Sequence, residues 1–155
     1  MNNQSKVLIG AQEWCAFPEL GIPAIKMRVD SGAKTSSIHA FDIKKFERDG
    51  VEWVSFDVHP LQRDKKTTKR CEHVLVDRRH IKSSTGEQQK RYVIRTQMQM
   101  GDLSYDIDLT LANRDSMGFR MLLGREAMNG RVIIDPGQTF CLGRISRLQM
   151  KGLYK

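Results

Sequence analysis

The decisive stretch of the chain reads Val29-Asp30-Ser31-Gly32-Ala33-Lys34-Thr35-Ser36-Ser37. An apolar-rich segment precedes it, so the sequence predicts a strand at residues 22–30 that ends at a carboxylate in front of a Ser-Gly turn. Glycine can give such a turn a backbone conformation that is closed to other residues, while the Ser31 hydroxyl and nearby N–H groups can donate to the Asp30 oxygens. On this stretch alone, a plain Asx turn between two strands and a fixed catalytic acid are both open interpretations.

A second apolar segment, Met121–Leu123, runs directly into Gly124-Arg125. A short helix is expected after Gly124, followed by another strand at residues 131–135. The order of a hydrophobic strand, Asp-Ser-Gly-Ala and then Leu-Leu-Gly-Arg resembles the retropepsin-like aspartic peptidases. This resemblance favours the fixed catalytic acid over the plain turn.

Further motifs in the same order extend the resemblance over residues 7–140. They are Glu13-Trp14, Ile81-Lys82-Ser83-Ser84-Thr85-Gly86 and Asn113-Arg114. Together they resemble the bacterial family known as ATP-dependent zinc proteases. The resemblance implies a closed retropepsin-like (acid protease) barrel that works as a homodimer. It also implies an association with an ATP-grasp ligase that adds glutamate residues to a ribosomal protein.

The resemblance also assigns roles to individual residues. The catalytic carboxylate would be Asp30, which would meet Asp30 of a second chain because only one Asp-Ser-Gly occurs. Arg125 would hold the active-site loop or the dimer interface through bonds to a carboxylate or to carbonyls. The active-site loop would be formed by Ser31, Gly32 and Ala33, and its structural support by Gly124 and Arg125.

Hairpin signals dominate the rest of the chain. Asp49-Gly50 separates predicted strands at 38–47 and 51–59, and Gly101-Asp102 separates 92–100 from 103–111. Apolar or β-branched residues alternate along both strands of the second hairpin. The predicted register pairs Met98 with Tyr105, Ile94 with Leu109 and Arg95 with Asp108. With a further strand at 6–16 and one short helix, the sequence predicts an all-β barrel or sandwich in a single domain, residues 1–155.

Composition limits the setting of the protein. The chain has 155 residues, a net charge of +8 and three cysteines that no spacing pairs, which favours a reducing compartment. The N-terminus shows no signal-peptide pattern, and no apolar run is long enough to span a bilayer. We therefore expect a cytoplasmic protein without a membrane partner.

Most of the surplus positive charge lies at residues 63–95, where the resemblance places a flap over the active site. Such runs are usually solvated loops, but a basic flap would favour an acidic peptide. Lys34, which stands where retroviral enzymes carry an acid, follows the catalytic turn and adds to this charge. We predict that an acidic substrate contacts Lys34, Arg79, Lys82, Ser83, Ser84 and Arg91.

Other chemistries lack their motifs. The four histidines are scattered, and the zinc-peptidase motif His-Glu-x-x-His is absent. Cys71-x-His73 has no second pair of Cys or His residues that could complete a zinc site. The sequence therefore predicts no metal site, despite the name of the family. There is no Gly-x-x-x-x-Gly-Lys-Ser/Thr phosphate loop and no Gly-x-Ser-x-Gly elbow. The sequence therefore predicts no cofactor.

Two functions remain. The first is an aspartic-type endopeptidase with an Asp30–Asp30 dyad across a homodimer, acting on acidic, glutamate-rich peptides. The alternative is a non-catalytic basic β barrel that binds RNA or ribosomal components. Residues 63–91 contain no Phe, Trp or Tyr on which bases could stack, which favours the peptidase.

Overall fold

The computed structural model describes residues 5–82, 86, 88–113 and 118–154, without the side chains of Ile81 and Lys82. Most of the described residues lie in strands. The strands are β1 Val7–Ile9, β2 Gln12–Phe17, β3 Ile22–Val29, β4 Ser36–His39, β5 Phe41–Arg48, β6 Val51–Val58, β7 Lys69–Val74, β8 Asp77–Lys82, β9 Gln88–Met100, β10 Leu103–Ala112, β11 Met121–Leu123 and β12 Val132–Ile134. The helical segments are a 3₁₀ turn at Pro18–Leu20, α1 Arg125–Met128 and α2 Arg147–Leu153.

Six strands close into a barrel in the order β10-β4-β11-β3-β2-β9, with β9 paired back to β10 and β8 added outside β9. β11 lies between β3 and β4, parallel to the first and antiparallel to the second. The predicted all-β fold with a closed barrel is confirmed. The β5-β6-β7 sheet and the parallel β1–β12 pair stand beside the barrel.

The hairpin that joins β9 and β10 has the predicted register. Met98 pairs with Tyr105, Ile94 with Leu109 and Arg95 with Asp108. The last pair forms an ion pair of 3.1 Å on the outer face. The other predicted hairpin also forms, because Asp49 and Gly50 both take positive φ values, 54° and 78°, as a tight turn between right-twisted strands requires.

Two predicted strands are wrong in their extent. The strand predicted at 6–16 divides into β1 and β2 at Gly10, where a Cβ atom would lie 2.3 Å from the Gln138 carbonyl oxygen. The strand predicted at 38–47 divides at Ala40, because β4 belongs to the barrel and β5 to the three-stranded sheet. Asp42, with φ of 50°, lies at the start of β5, where the pairing with β6 is irregular between Phe41 and Lys44.

The core lies inside the barrel and continues under the three-stranded sheet. Alternate residues of the barrel strands, such as Met27, Ile94 and Leu109, are fully buried, and Phe56 of β6 joins the same cluster. Burying side chains of this size contributes about 1.5–3 kcal/mol each. In the part of the chain that the structure describes, no helix is both long and apolar enough to cross a membrane.

Glu13 connects the N-terminal strand to the segment before α2. Its side chain is fully buried, and its carboxyl oxygens accept hydrogen bonds from the backbone N–H groups of Gly10 (2.8 Å), Cys141 (2.8 Å) and Leu142 (3.1 Å). A buried carboxyl group needs such partners, since an unpaired one is strongly unfavourable. The segment at 141–142 is therefore fixed to β2 through its backbone.

Candidate active site

Asp30 lies directly after β3, beside the end of β11. Its backbone N–H donates to the Leu123 carbonyl oxygen at 2.9 Å, and Leu123 is the register partner of Val29. The two motifs that are far apart in the sequence are thus adjacent, because β11 inserts between the strands on either side of the Asp30 turn. The half-buried Asp30 side chain stands on a backbone fixed by two neighbouring strands.

The turn after Asp30 closes on the carboxylate itself. The Gly32 N–H donates to Asp30 Oδ1 at 3.0 Å, and the Ala33 N–H donates to the Asp30 carbonyl oxygen at 3.2 Å. The expectation that Gly32 supplies a left-handed conformation is wrong, since its φ lies outside the positive range. The reason for glycine is space, because a Cβ atom there would lie 3.2 Å from Asp30 Oδ1.

Gly124 lies against the far end of the same loop. A Cβ atom at Gly124 would lie 2.5 Å from the Thr35 carbonyl carbon and 2.7 Å from the Ser36 nitrogen, so no side chain fits. The Gly124 N–H donates to Ser36 Oγ at 2.9 Å in a buried hydrogen bond. This close approach is possible only with glycine.

The start of α1 holds the middle of the loop. The Arg125 N–H donates to the Ala33 carbonyl oxygen at 2.7 Å, and Arg125 Nη1 donates to the Ser31 carbonyl oxygen at 3.0 Å. The Glu126 N–H donates to the Lys34 carbonyl oxygen at 3.0 Å. Three consecutive residues, 124–126, thus fix the loop at 31–36, and Arg125 bonds two carbonyl oxygens there, one through its backbone and one through its side chain.

Sequence reasoning missed three hydroxyl groups that complete this support. Ser36 Oγ accepts the Gly124 bond described above, and the Ser36 carbonyl oxygen accepts a bond of 3.2 Å from Thr110 Oγ1 on β10. Thr35 Oγ1 accepts a bond of 3.4 Å from Arg79 Nη1 on β8. The Thr-Ser-Ser run was visible, but its partners lie on strands far away in the sequence.

The predicted substrate-binding residues lie in different environments. Lys34 is exposed and lies 3.9 Å from Glu126. Arg79 forms ion pairs with Asp77 (3.0 Å) and Asp108 (3.1 Å), and the hydrogen bond to Asp77, followed by the one to Asp108, raises the pKa of its guanidinium. Arg91 is only 9 % exposed and donates to the Gln89 side chain. Ser83, Ser84 and the Lys82 side chain lie outside the described residues.

Other cations near the β8–β9 hairpin are paired as well. Arg78 lies 2.6 Å from a Glu52 oxygen, and Arg95 lies 3.1 Å from Asp108. The positive charge that the sequence places in this region is therefore partly neutralised by acids from other strands.

The buried cysteines and the potential metal ligands do not form a second reactive site among the described residues. All three cysteines are free, but burial raises the pKa of Cys71 to about 12 and that of Cys15 even further, so neither is a thiolate at neutral pH. Within residues 5–82, 86, 88–113 and 118–154, no three His, Cys, Asp or Glu side chains lie close enough to hold a metal ion.

Comparisons with known proteins agree with this geometry. Residues 8–144 match the family model described as RimB-like, "Retropepsin-like aspartic endopeptidase RimB". A solved protein of unknown function (DUF785) from Legionella pneumophila superposes with a TM-score of 0.74 at 26 % identity, covering 89 % of this chain and 99 % of that one.

The chain is also similar to part of longer proteins named "Probable alpha-L-glutamate ligase". The protein from Shewanella pealeana is 57 % identical over 152 residues, which are 98 % of this chain and 33 % of that protein. The protein from Desulfotalea psychrophila is 58 % identical over 150 residues, which are 97 % of this chain and 32 % of that protein. This chain thus spans about a third of these relatives' length. With the Asp30 loop, the barrel and the match over residues 8–144 in agreement, the chain belongs to the RimB-like family of retropepsin-like aspartic endopeptidases.

Proposed function

We propose that the protein is an aspartic-type endopeptidase in which Asp30 of two chains forms the catalytic dyad. The observation that carries the proposal is the Asp30 turn, which Leu123, Gly124 and Arg125 fix from one side through hydrogen bonds. A catalytic acid has to be held in place before the substrate arrives, and this loop holds one without covering its side chain.

The reaction requires two carboxyl groups that share one proton. The ionised group deprotonates a water molecule, which attacks the peptide carbonyl, while the protonated group donates to the carbonyl oxygen. Like charges about 3 Å apart cannot both ionise readily, so the shared proton is maintained. Since the chain has a single Asp-Ser-Gly motif, a two-fold homodimer supplies the second carboxyl group.

The substrate in this proposal is an acidic, glutamate-rich peptide or protein. The net charge of +8 favours encounter with such a chain, and the relatives named as glutamate ligases supply a chemical context in which glutamate is added. The proposal includes a functional link with an ATP-grasp ligase that adds glutamate residues to a ribosomal protein. Three free thiols are consistent with action in the cytoplasm.

The test is hydrolysis of a glutamate-rich peptide by purified protein carrying Asp30→Asn. Asparagine preserves the size of the side chain but cannot share a proton as a carboxyl group does. The rate of peptide cleavage, measured by mass spectrometry, should therefore fall at least about a hundredfold. Asp102→Asn, at the exposed turn between β9 and β10, is the matched control and should retain full activity. Undiminished cleavage by Asp30→Asn would exclude the proposed dyad.

A further inference from the structure

A groove of about 880 Å³ lies on the outer face of β2 and β3, beside α2. Six cations line it: Lys26, Arg63, Lys65, Lys66, Arg147 and Lys151. None of the six forms an ion pair with an acid in the part of the chain that the structure describes, in contrast to Arg78, Arg79 and Arg95 near the β8–β9 hairpin. The groove therefore carries six positive charges close together, with Asp64 as the acid in its lining.

One wall of the groove, the loop at 61–66, is fixed by its own polar residues. Asp64 accepts hydrogen bonds from the backbone N–H groups of Lys66 (2.7 Å) and Thr67 (3.1 Å), and these bonds lower the pKa of its carboxyl group. Gln62 donates to the Gly118 carbonyl oxygen at 2.7 Å and accepts from the Arg120 N–H at 3.2 Å. Asp64, the acid in the lining, is therefore engaged in holding the loop that presents the cations.

The opposite wall is α2. Arg147 and Lys151 are four residues apart and so lie on one face of the helix. Ser146 and Gln149 form a capping box at its start, Met150 is buried beneath it, and the Tyr154 hydroxyl bonds the backbone of Ala24 on β3. Both walls are thus held in place by hydrogen bonds and packing. Their cations are already positioned before a ligand binds.

The Trp14 ring at the floor of the groove is partly covered by neighbouring side chains. Trp14 stacks on Phe140 at 6.1 Å, and Lys26 Nζ lies over both rings, 5.4 Å from the first centroid and 5.7 Å from the second. The Trp14 ring therefore already has a ring neighbour and a cation against it. Phe119 also lines the groove, so a single-stranded nucleic acid would find phosphate partners and one ring for stacking, whereas an acidic peptide requires only the cations. The proposed endopeptidase activity favours the peptide as the occupant.

Lys26 of the groove lies on β3, the strand that ends at the Asp30 turn. Lys26 and Arg28 point outward from the same face of β3, on either side of the buried Met27, and Arg28 is exposed. Four residues separate Lys26 from Asp30, a distance of about 13 Å along a strand. A peptide of about four extended residues would connect the two sites.

We propose that this groove is an exosite for the acidic segment next to the scissile bond, with Lys26 and Arg28 marking the path to Asp30. The inference rests on the proposed endopeptidase function for its substrate but concerns binding at a separate surface. Peptides that reach both sites are held by the groove cations while the bond to be cleaved lies at Asp30.

The first test measures binding without turnover. Fluorescence anisotropy with a labelled oligoglutamate of about twelve residues is recorded on the full chain carrying Asp30→Asn. The added double reversal Arg147→Glu/Lys151→Glu should weaken binding about tenfold at low salt, and the difference should shrink as salt screens the charges. The control Lys6→Glu/Lys44→Glu makes the same change in net charge at exposed sites away from the groove and should alter binding less than twofold. Thermal unfolding verifies that both variants are folded.

The second test separates the exosite from catalysis. In protein with Asp30 intact, Arg147→Glu/Lys151→Glu should raise KM for long acidic peptides, leave kcat unchanged and leave cleavage of peptides too short to reach the groove unchanged. Equal weakening by both charge reversals would overturn the exosite, and so would groove-dependent binding of an oligouridylate with no binding of oligoglutamate. If Asp30→Asn still cleaves peptide, the catalytic proposal fails, while the anisotropy result still decides the groove.

Discussion

At the residue scale, the site depends on two glycines with the same requirement, which is room for a neighbouring group. Gly32 leaves space for the Asp30 carboxylate, and Gly124 leaves space for the backbone at Thr35 and Ser36. Both glycines were named from the sequence as parts of the Asp-Ser-Gly and Leu-Leu-Gly-Arg motifs. The reason expected for Gly32 was a left-handed φ, because local patterns show turns but do not show which atoms approach from outside the turn.

Gly124→Ala tests this close approach. The new methyl group would overlap the backbone of Thr35, which cannot move without breaking the Ser36 bond, so the free energy of unfolding should fall by about 1–3 kcal/mol. Peptide cleavage should fall as well, since the loop carries Asp30. Urea unfolding measures the first effect.

The matched control is Gly152→Ala in α2. Its Cβ atom would meet nothing within 4 Å, and alanine favours a helix, so its stability should be unchanged or slightly higher. Equal stability of the two alanine variants would show that the loop at 35–36 yields easily and does not constrain Asp30.

At the element scale, patterns within one hairpin were enough to predict register, whereas long-range insertions were not. The pairing of Ile94 with Leu109 follows from alternation on both strands and a two-residue turn. The position of β11 between β3 and β4 follows from contacts between distant segments, which no local pattern in the sequence indicated. α2 is an addition to the expected single helix, although Ser146 and Gln149 have the spacing of a capping box.

The 3₁₀ turn and β7 are connected by a pH-sensitive contact. His73 Nε2 lies 2.9 Å from Glu19 Oε1, and the Thr96 hydroxyl donates to the same oxygen at 3.1 Å. The bond to His73 is the main cause that holds the pKa of Glu19 below its usual value. The stabilisation is therefore present above the pKa that Glu19 has in the unfolded chain and is lost as pH falls through its lower folded value.

Glu19→Gln should remove this acid-dependent term. The wild-type chain should lose stability more steeply than the variant as pH decreases from about 5 to 3. The difference should stay below about 1 kcal/mol, because Glu19 is half exposed and solvent screens the contact. Denaturant unfolding at several pH values measures it, with the exposed Glu47→Gln as control. Parallel pH profiles for wild type and Glu19→Gln would contradict the assignment.

At the scale of the whole molecule, total charge is a property of the sequence but its neutralisation is a property of the fold. The basic region at 63–95 was identified from the sequence, and the structure divides it. Arg79 and Arg95 share Asp108, while Arg63, Lys65 and Lys66 line the groove and form no ion pair among the described residues. Ion pairs between distant strands cannot be read from a charge run, so the sequence could not show which cations of this region are paired with acids.

The proposed homodimer leads to a quantitative prediction at this scale. When wild-type chains and Asp30→Asn chains are mixed and allowed to exchange, only dimers with two Asp30 residues should hydrolyse peptide. Activity should then follow the square of the wild-type fraction, because random pairing yields active dimers in that proportion. Cleavage rates across a series of mixing ratios provide the measurement. A linear dependence would indicate that one Asp30 per active unit is sufficient.

The anchorage of the C-terminal segment by Glu13 also bears on how this part of the chain can vary during evolution. Glu13 bonds the N–H groups of Cys141 and Leu142, and every residue except proline offers the same donor. As far as these bonds are concerned, the side chain at 141 can drift while the segment that leads to α2 keeps its place, whereas Leu142 also packs against the core. Selection for this connection acts on Glu13, whose side chain makes all three bonds, far more than on the residues it holds.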